Sequence, residues 1–252
     1  MVDKSTSQTL RRGLMVLDHF HGKDKEHSVK ELANQLEISS TVTFRLVNTL
    51  VECGYLEKNN TTGKYRLGFN AYKLGLNANP HFLLQQLAMP FLEKVAEKTQ
   101  ETVSMYVINP LTLKGICITS LESPNEIKFS TPVGSIRPLY RGASKKVLLA
   151  FMDPAQQEQV FQRAIADGFT KIDELKKDLE DIKNRGYAYS EGEVYKGAFN
   201  ISVPILSSKG EILAGISITF PVFRKEKDTV STFSKHLIEA ANQIENALQT
   251  SN

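Results

Sequence analysis

Residues 39–48 bring together hydroxyl, amide and guanidinium groups and include no carboxylate. An amide such as that of Asn48 can pair bidentately with an adenine edge, and a guanidinium such as that of Arg45 with a guanine edge or a phosphate. Hydroxyl groups and free amides at the start of a helix can contact backbone phosphates. These residue types favour contact with double-stranded DNA, and the candidate contacts are Ser39, Ser40, Thr41, Thr43, Phe44, Arg45 and Asn48.

A second group of candidate contacts follows in two short predicted strands, residues 55–58 and 64–67, on either side of the turn-forming residues 59–63. Their basic and polar side chains can hold phosphates that flank the bases. Both patterns have alternatives without DNA. Lysines are common on edge strands, where they prevent aggregation, and a polar helix face can simply be solvated. The predicted contacts of this group, together with one serine upstream, are Ser28, Lys58, Asn60, Lys64 and Arg66.

The elements that must position these side chains can be predicted from spacing. Leucines at helical spacing predict a first helix that ends near His21, and Ser28 with Glu31 forms a capping box that starts a second. A third helix begins at Ser39 or Ser40 and ends at the glycine cap Gly54. At 100° per residue, its core-facing set is Val42, Leu46, Thr49, Leu50 and Cys53, and its outer set is Ser40, Thr41, Phe44, Asn48 and Val51, with Arg45 at the flank. Three helices and a hairpin predict a winged helix-turn-helix.

The remainder of the chain predicts an α+β domain. Strands are expected at residues 103–108, 115–121 and 126–131, then helices at 144–151, 154–167 and 174–185. Three further strands, at 187–194, 198–206 and 212–220, precede a closing amphipathic helix. The predicted organisation is a winged helix-turn-helix at residues 7–69, a helical linker at 70–82 and the larger domain at 83–250.

A candidate ligand pocket lies in this second domain. Gly142 and Ala143 open a helix, whose free amides can receive a carboxylate. Ser217 and Thr219 share one face of a strand and can line a polar cavity, with Leu139 and Tyr140 as its apolar or aromatic wall. The alternative is a helix-start glycine and a solvent-facing strand without any ligand.

Composition narrows the function classes. The 252-residue chain carries a net charge of only +3, so any DNA contact depends on where basic groups point. Two cysteines without metal-ligand spacing, interpreted as buried, fit a reducing compartment. The five histidines show no ligand spacing, and no acid–base pair or phosphate-cradling glycine motif occurs. We therefore expect a cytoplasmic protein that is no enzyme and has no membrane span, metal or cofactor.

Several separated segments resemble, in order, the IclR family of bacterial transcription regulators. They are residues 28–36, 45–56, 64–68 and 74–75 in the first domain, and 99–103, 134–139, 142–150, 185–188, 197–204 and 214–221 in the second. The resemblance implies a GAF-like effector-binding domain and dimers, often paired into tetramers, on palindromic operators. It also places Ser190 and Asn200 where a studied branch of the family uses an acid and a cysteine to hold a small keto acid.

The sequence therefore predicts a sequence-specific DNA-binding regulator, expected to be a repressor, whose operator affinity depends on a small metabolite. The predicted effector is a small organic acid. The predicted effector residues are Leu139, Tyr140, Gly142, Ala143, Ser190, Asn200, Ser217 and Thr219. The alternative is a dimeric metabolite sensor whose winged helix mediates protein contacts instead of DNA contacts.

Overall fold

The computed structural model describes residues 6–20, 26–78 and 81–250 of the chain. It divides into two compact units, Met1–Pro80 and His81–Asn252. Each unit has its own hydrophobic core, as two successive domains of ordinary size would have.

The first unit has the order of elements expected for a winged helix-turn-helix, and the sequence prediction of this fold is confirmed. Its elements are α1 (Gln8–Leu17), α2 (Val29–Leu36), α3 (Ser40–Glu52), β1 (Leu56–Lys58), β2 (Tyr65–Leu67) and α4 (Phe69–Ala78). Strands β1 and β2 pair antiparallel, and His27 adds a bridge to Tyr65. Gly54 ends α3 at φ +72°, as the predicted glycine cap requires.

One small core holds this unit together. Its buried members come from α1, α2, α3 and the hairpin, so α3 is fixed from three sides. They are Val16, Phe20, Leu32, Leu46, Val47, Leu56 and Tyr65. Burying a large apolar side chain contributes roughly 1.5–3 kcal/mol. This core orients the outer side of α3.

The second unit is an α+β domain built on one six-stranded antiparallel sheet, which confirms the predicted fold class. Its strand order is β5-β4-β3-β8-β7-β6. The elements are α5 (Phe82–Thr99), β3 (Thr102–Asn109), β4 (Lys114–Leu121), β5 (Ile136–Pro138), α6 (Ala143–Ala150), α7 (Pro154–Ala166), α8 (Ile172–Arg185), β6 (Ala188–Glu191), β7 (Ala198–Leu206), β8 (Ile212–Pro221), a 3₁₀ turn (Val222–Arg224) and α9 (Thr229–Thr250).

The two faces of this sheet differ in chemistry. The face that packs on α5 and α9 is apolar, with residues such as Met105, Ile201 and Ile216 fully buried. The opposite face, towards α6, carries two rows of polar side chains that run across paired strands. The rows are Ser120, Ser104, Ser217 and Ser202, and Thr102, Thr219, Asn200 and Ser190. Polar side chains on a covered sheet face need partners or a ligand.

Three sequence predictions about elements differ from the structure. Residues 126–131 form no strand, since the described chain there is irregular. The strand expected over residues 187–194 ends at Glu191, because Gly192 adopts a positive φ of 68° and takes the chain out of the sheet. Helix α1 ends at Leu17, before the predicted end near His21. His21 itself lies outside the described residues.

Candidate functional site

The outer side of α3 is exposed and free of carboxylates over its first three turns. Ser39 caps the helix, its Oγ accepting from the amide of Val42 at 3.4 Å. Phe44 leaves 49% of its surface exposed, an unusual position for a phenyl ring in a soluble domain. The structure thus brings these predicted contacts to one surface: Ser39, Ser40, Thr41, Phe44, Arg45 and Asn48.

Thr43 does not belong to this surface, and its prediction as a DNA contact is wrong. It is fully buried, and its Oγ1 donates to the carbonyl of Ser39 at 3.1 Å. Thr49 and Cys53, predicted in the core, are instead exposed, and Val51 is half-buried. The core side of α3 is centred on Thr43, Leu46 and Val47, because α1, α2 and β1 contact it there.

The hairpin places its predicted cations beside carboxylates of its own unit. Lys64 pairs with Glu31 at 2.9 Å, and Arg66 with Glu57 at 2.5 Å. Lys58 has no carboxylate within 4.0 Å among the described residues. Asn60 is exposed at the hairpin tip. Of the three cations, Lys58 is therefore the one most available for a phosphate.

Ser28 and Glu31 form the predicted capping box at the start of α2. The Ser28 Oγ accepts from the Glu31 amide at 3.2 Å, and Glu31 Oε2 accepts from the Ser28 amide at 2.7 Å. Hydrogen bonds from Ser28 and from Lys64 lower the pKa of Glu31 to about 2. Ser28 thus has a structural role as the cap of α2, and the residue is half-buried.

The second unit contains a cavity between the start of α6, the polar rows of the sheet and residues 193–195. Its volume is about 40 Å³. Four predicted effector residues line it: Gly142, Ser190, Asn200 and Thr219. The other lining residues are Tyr106, Thr131, Ser144, Lys145, Glu193, Val194, Tyr195 and Ala198. Aromatic and polar walls of this kind are typical of small-molecule sites.

The amides at the start of α6 are already occupied, contrary to the sequence prediction that they are free for a ligand. Gly142 N donates to Glu193 Oε2 at 2.9 Å, Ala143 N to Ser190 Oγ at 3.0 Å and Ser144 N to Asn200 Oδ1 at 3.1 Å. A side-chain carboxylate of the protein therefore takes the place at the helix start that favours an anion.

Glu193 is held there by a second interaction. Its Oε1 accepts from Lys146 Nζ at 2.6 Å, and Lys146 also binds Asp178 at 2.9 Å. Next to it, Val194 packs on Gly142 so closely that a Cβ at Gly142 would lie 2.7 Å from Val194 Cγ2. With its φ of +80°, Gly142 is a position where only glycine fits without strain.

The other four predicted effector residues do not line the cavity. Leu139 is fully buried in the core beneath α6, and Tyr140 lies nearby, its hydroxyl donating to Asp167 at 2.9 Å. Ser217 is fully buried and does not line the cavity. Ala143 is likewise buried and contributes its amide to Ser190.

Lys145 and Tyr106 are the cavity residues that sequence reasoning missed most clearly. Helix α6 is buried on nearly all sides, with Lys145 at 6% exposure. The apolar run at residues 147–151 could have indicated this burial, because a helix that is apolar on all sides is usually buried. A lysine on such a helix must find its partners inside the domain. Tyr106 lies in a β-branched strand whose pattern gave no sign of a site.

Family models match both units. A model described as the IclR helix-turn-helix domain matches residues 9–60, and one described as the bacterial transcriptional regulator IclR C-terminal domain matches residues 80–246. The second match alone spans more than half of the chain. The chain belongs to the IclR family. The resemblance noted in the sequence is confirmed, and the protein is a DNA-binding transcriptional regulator.

Similar proteins agree with this assignment. The transcriptional repressor IclR of Escherichia coli K12 is 26% identical over 242 residues, covering 94% of this chain and 88% of its own. An IclR homolog from Microbacterium hydrocarbonoxydans, solved in complex with 4-hydroxybenzoate, has a TM-score of 0.82 at 25% identity, covering 96% of this chain and all of its own. An IclR-type regulator from Alicyclobacillus acidocaldarius matches in fold, with a TM-score of 0.80 at 22% identity and coverage of 96% and 98%.

Membership of the IclR family decides between the two functions left open by the sequence. The helix-turn-helix match and the exposed α3 surface favour a DNA contact over a module that acts only through protein contacts.

In the described part of the chain, no three His, Cys, Asp or Glu side chains group as a metal site. None of the described helices is both long and apolar enough to cross a membrane. The individual contact residues on either unit stay predictions.

Proposed function

We propose that this protein is a cytoplasmic repressor that binds a palindromic operator as a dimer and responds to a small organic acid in the cavity beside α6. It acts by binding and performs no catalysis. The proposed working parts are the DNA-binding domain at residues 7–69, the helical linker at 70–82 and the effector domain at 83–250. The observation that carries the proposal is the exposed, carboxylate-free side of α3 on a helix-turn-helix unit.

The chemistry of α3 supports sequence-specific recognition. Arg45 and Asn48 are exposed on the same helix three residues apart, so both side chains can reach one groove. Bidentate pairing of such groups with base edges discriminates by roughly 1–3 kcal/mol per base pair. Phe44 can contact a thymine methyl group, and the hydroxyls of Ser39, Ser40 and Thr41 can hold a phosphate at the helix start.

Dimerisation is supported by apolar side chains that the first unit leaves exposed. On α1, Leu10 and Leu14 expose 64% and 53% of their surface and lie one helical turn apart. An exposed apolar stripe of this kind marks an interaction site. A symmetric dimer presents two copies of α3, which matches a palindrome with half-sites about one turn of DNA apart. Pairing of dimers into tetramers is part of the same proposal.

The cavity supports effector binding. The IclR homolog solved in complex with 4-hydroxybenzoate, a small aromatic acid, supports an organic acid as the class of effector. At about 40 Å³ the cavity here has room for very few water molecules, whereas ligand sites usually measure some 300–1,000 Å³. Entry of an acid therefore requires residues 193–195 to move, and glycines at positive φ, Gly192 and Gly197, flank them.

The proposal is tested by selecting bound sequences from a pool of random DNA duplexes with the purified full-length chain. We expect enrichment of a two-fold symmetric site, bound in fluorescence anisotropy at least 1,000-fold more tightly than random DNA at the same salt concentration. Small carboxylic acids are then added, and at least one is expected to change this affinity. Enrichment of no sequence would contradict the proposed DNA function, and a symmetric site that no acid affects would contradict the effector function.

A further inference from the structure

Lys145 is a buried cation that the protein itself leaves without a counter-charge. It lines the cavity at 6% exposure, and its Nζ donates to Ser144 Oγ at 3.0 Å and lies 3.8 Å from the ring centroid of Tyr106. Within the described residues, no carboxylate oxygen lies within 4.0 Å of this ammonium. Burying a charge without a counter-charge is costly, so such a group usually has a function.

The adjacent lysine, Lys146, differs from Lys145 because its ammonium is paired with carboxylates. Lys146 binds two carboxylates, Asp178 and Glu193, at 2.9 and 2.6 Å. These contacts raise the pKa of Lys146 although burial opposes them. Glu193 is therefore already used by Lys146 and by the amide of Gly142, and it does not neutralise Lys145.

The other groups that face Lys145 supply no negative charge at neutral pH. Cys117 on β4 and Tyr106 on β3 are both buried, which raises the thiol pKa to about 11 and the phenol pKa to about 12. Arg137 on β5 adds a positive charge near Lys145, and its guanidinium donates to the hydroxyl of Tyr195 at 3.4 Å. Burial, with Arg137 adding to it, lowers the pKa of Lys145 to about 8.

Among the described residues that line this cavity, Lys145 is the only cation that could pair with a ligand carboxylate. The amides at the start of α6 are taken by Glu193, Ser190 and Asn200. We infer that Lys145 is the residue that selects a monocarboxylate over its neutral analogue, by forming a buried ion pair with it between Tyr106 and Ser144. This inference rests on the proposed function, in which the cavity is the effector site. It assigns the charge of the ligand and the residue that recognises it.

The ion pair has a pH dependence whose sign can be worked out. A carboxylate binds the charged amine, so its affinity is full below about pH 8 and falls as pH rises through the pKa of Lys145 in the empty protein. Above that pH, we expect the dissociation constant to rise about tenfold per pH unit until the pKa of the bound state is reached.

The experiment compares acids with their primary amides on the full-length protein. The probes are pyruvate, benzoate and 4-hydroxybenzoate, each paired with the matching amide, and affinity is measured by calorimetry and by the shift in melting temperature. The variant is Lys145→Met, which keeps the length of the side chain without its charge. The matched control is Lys176→Met, because Lys176 also lies over an aromatic ring, that of Phe161, but on the exposed surface of α8.

For wild type and Lys176→Met, we expect at least one acid to bind tenfold or more tightly than its amide. Lys145→Met should lose this preference while its circular dichroism and unfolding transition stay native. Acid affinity in Lys145→Met within twofold of wild type would overturn the inference. In case the variant does not fold, the wild-type pH series decides alone, since an acid affinity that stays flat from pH 7 to 9.5 overturns it equally.

The outcomes separate this inference from the proposed function. Acids and amides that bind wild type equally and change its operator affinity would leave the effector cavity in place and refute only the role of Lys145. If no probe binds wild type or changes its operator affinity, both the effector role of the cavity and the role of Lys145 are refuted.

Discussion

At the scale of single residues, side chains of the same type and from the same helix turn can differ in burial. Thr41 and Thr43 are both hydroxyl residues in the first turn of α3, yet one is exposed and the other is sealed under the helix and bonded to Ser39. The two positions lie about 200° apart around the helix, at about 100° per residue, so they are on nearly opposite sides of it. Arg45 and Asn48 could be identified from type and spacing, whereas the position of Thr43 required the actual packing of α1 and α2.

In the cavity too, residue type and spacing predict some positions, whereas others depend on the packing. Asn200 and Thr219 could be placed from the family resemblance and strand alternation, and they hydrogen-bond each other at 2.6 Å. The hydrogen bond from the Gly142 amide to Glu193 could not be predicted, since it depends on residues 192–197 folding back over Gly142. Local sequence carries little information on such long-range contacts.

A charge introduced at Asn200 tests the cavity at this scale. Asn200→Asp keeps an oxygen that can accept from the amide of Ser144 but adds a negative charge beside the proposed ligand. We expect it to weaken binding of an acid by tenfold or more in calorimetry, because like charges in a buried site repel. Asn200→Leu is a poorer probe, since it leaves the buried Ser144 amide without a partner at a cost of about 1–3 kcal/mol. Unchanged acid affinity in Asn200→Asp would remove this residue from the site.

At the scale of elements, the regular parts of the fold could be predicted and the irregular connections could not. The capping box at Ser28 and the glycine cap at Gly54 fix the ends of α2 and α3, because each supplies partners for otherwise unpaired backbone groups. Residues 126–131 are β-branched only in part, and no described strand pairs with them. Strand formation depends on such a neighbour more than on propensity.

The hairpin has one cation whose contribution to DNA binding should be separable from the others. Lys58 has no carboxylate partner in the described chain, whereas Arg66 is paired with Glu57. If Lys58 contacts a phosphate, Lys58→Ala should reduce the slope of log affinity against log salt concentration by about 0.9, because one fewer counterion is released. Arg66→Ala should change this slope less. Equal slopes for Lys58→Ala and wild type in anisotropy titrations would exclude the phosphate contact.

The start of α2 has an acid-sensitive cap. The pKa of Glu31 in the folded protein is about 2, below its ordinary value of 4.5, so the stability from its ionised form is full above about pH 4.5 and is lost as pH falls towards 2. We expect Glu31→Gln to lower the melting temperature of the first unit at pH 6 and to differ little from wild type near pH 2. Glu52→Gln, at the exposed end of α3, is the control. A difference between Glu31→Gln and wild type that stays constant with pH would contradict the assignment of the cap.

At the scale of the whole molecule, two units with separate cores divide the work of DNA binding and ligand binding. A ligand can change operator affinity only by as much as it distinguishes the states that bind DNA from those that do not. In the proposed scheme this difference arises when the acid displaces residues 193–195 from the cavity. The family assignment could be predicted from ordered motifs across the chain, but not the closed state of the cavity.

Dimerisation can be tested on the exposed stripe of α1. Replacing the apolar pair by charge, in Leu10→Glu with Leu14→Glu, should prevent a symmetric apolar contact without touching the buried Val16. Sedimentation velocity should then show wild type at a multiple of the 28.2 kDa chain mass and the variant at no more than half of the wild-type mass. Gln8→Glu, on the same helix, controls for added charge. A variant that keeps the wild-type mass would place the interface elsewhere.

The most direct test of the account is the base-by-base operator affinity of Arg45→Ala and Asn48→Ala, measured by anisotropy with every single base-pair substitution of the selected site. Thr43→Val serves as the buried control on the same helix. We predict that each exposed variant loses about 1–3 kcal/mol and becomes indifferent to the base pair at one position in each half-site, while Thr43→Val discriminates bases as wild type does. Folded Arg45→Ala and Asn48→Ala proteins with wild-type affinity and base preference would contradict the claim that α3 enters the DNA groove.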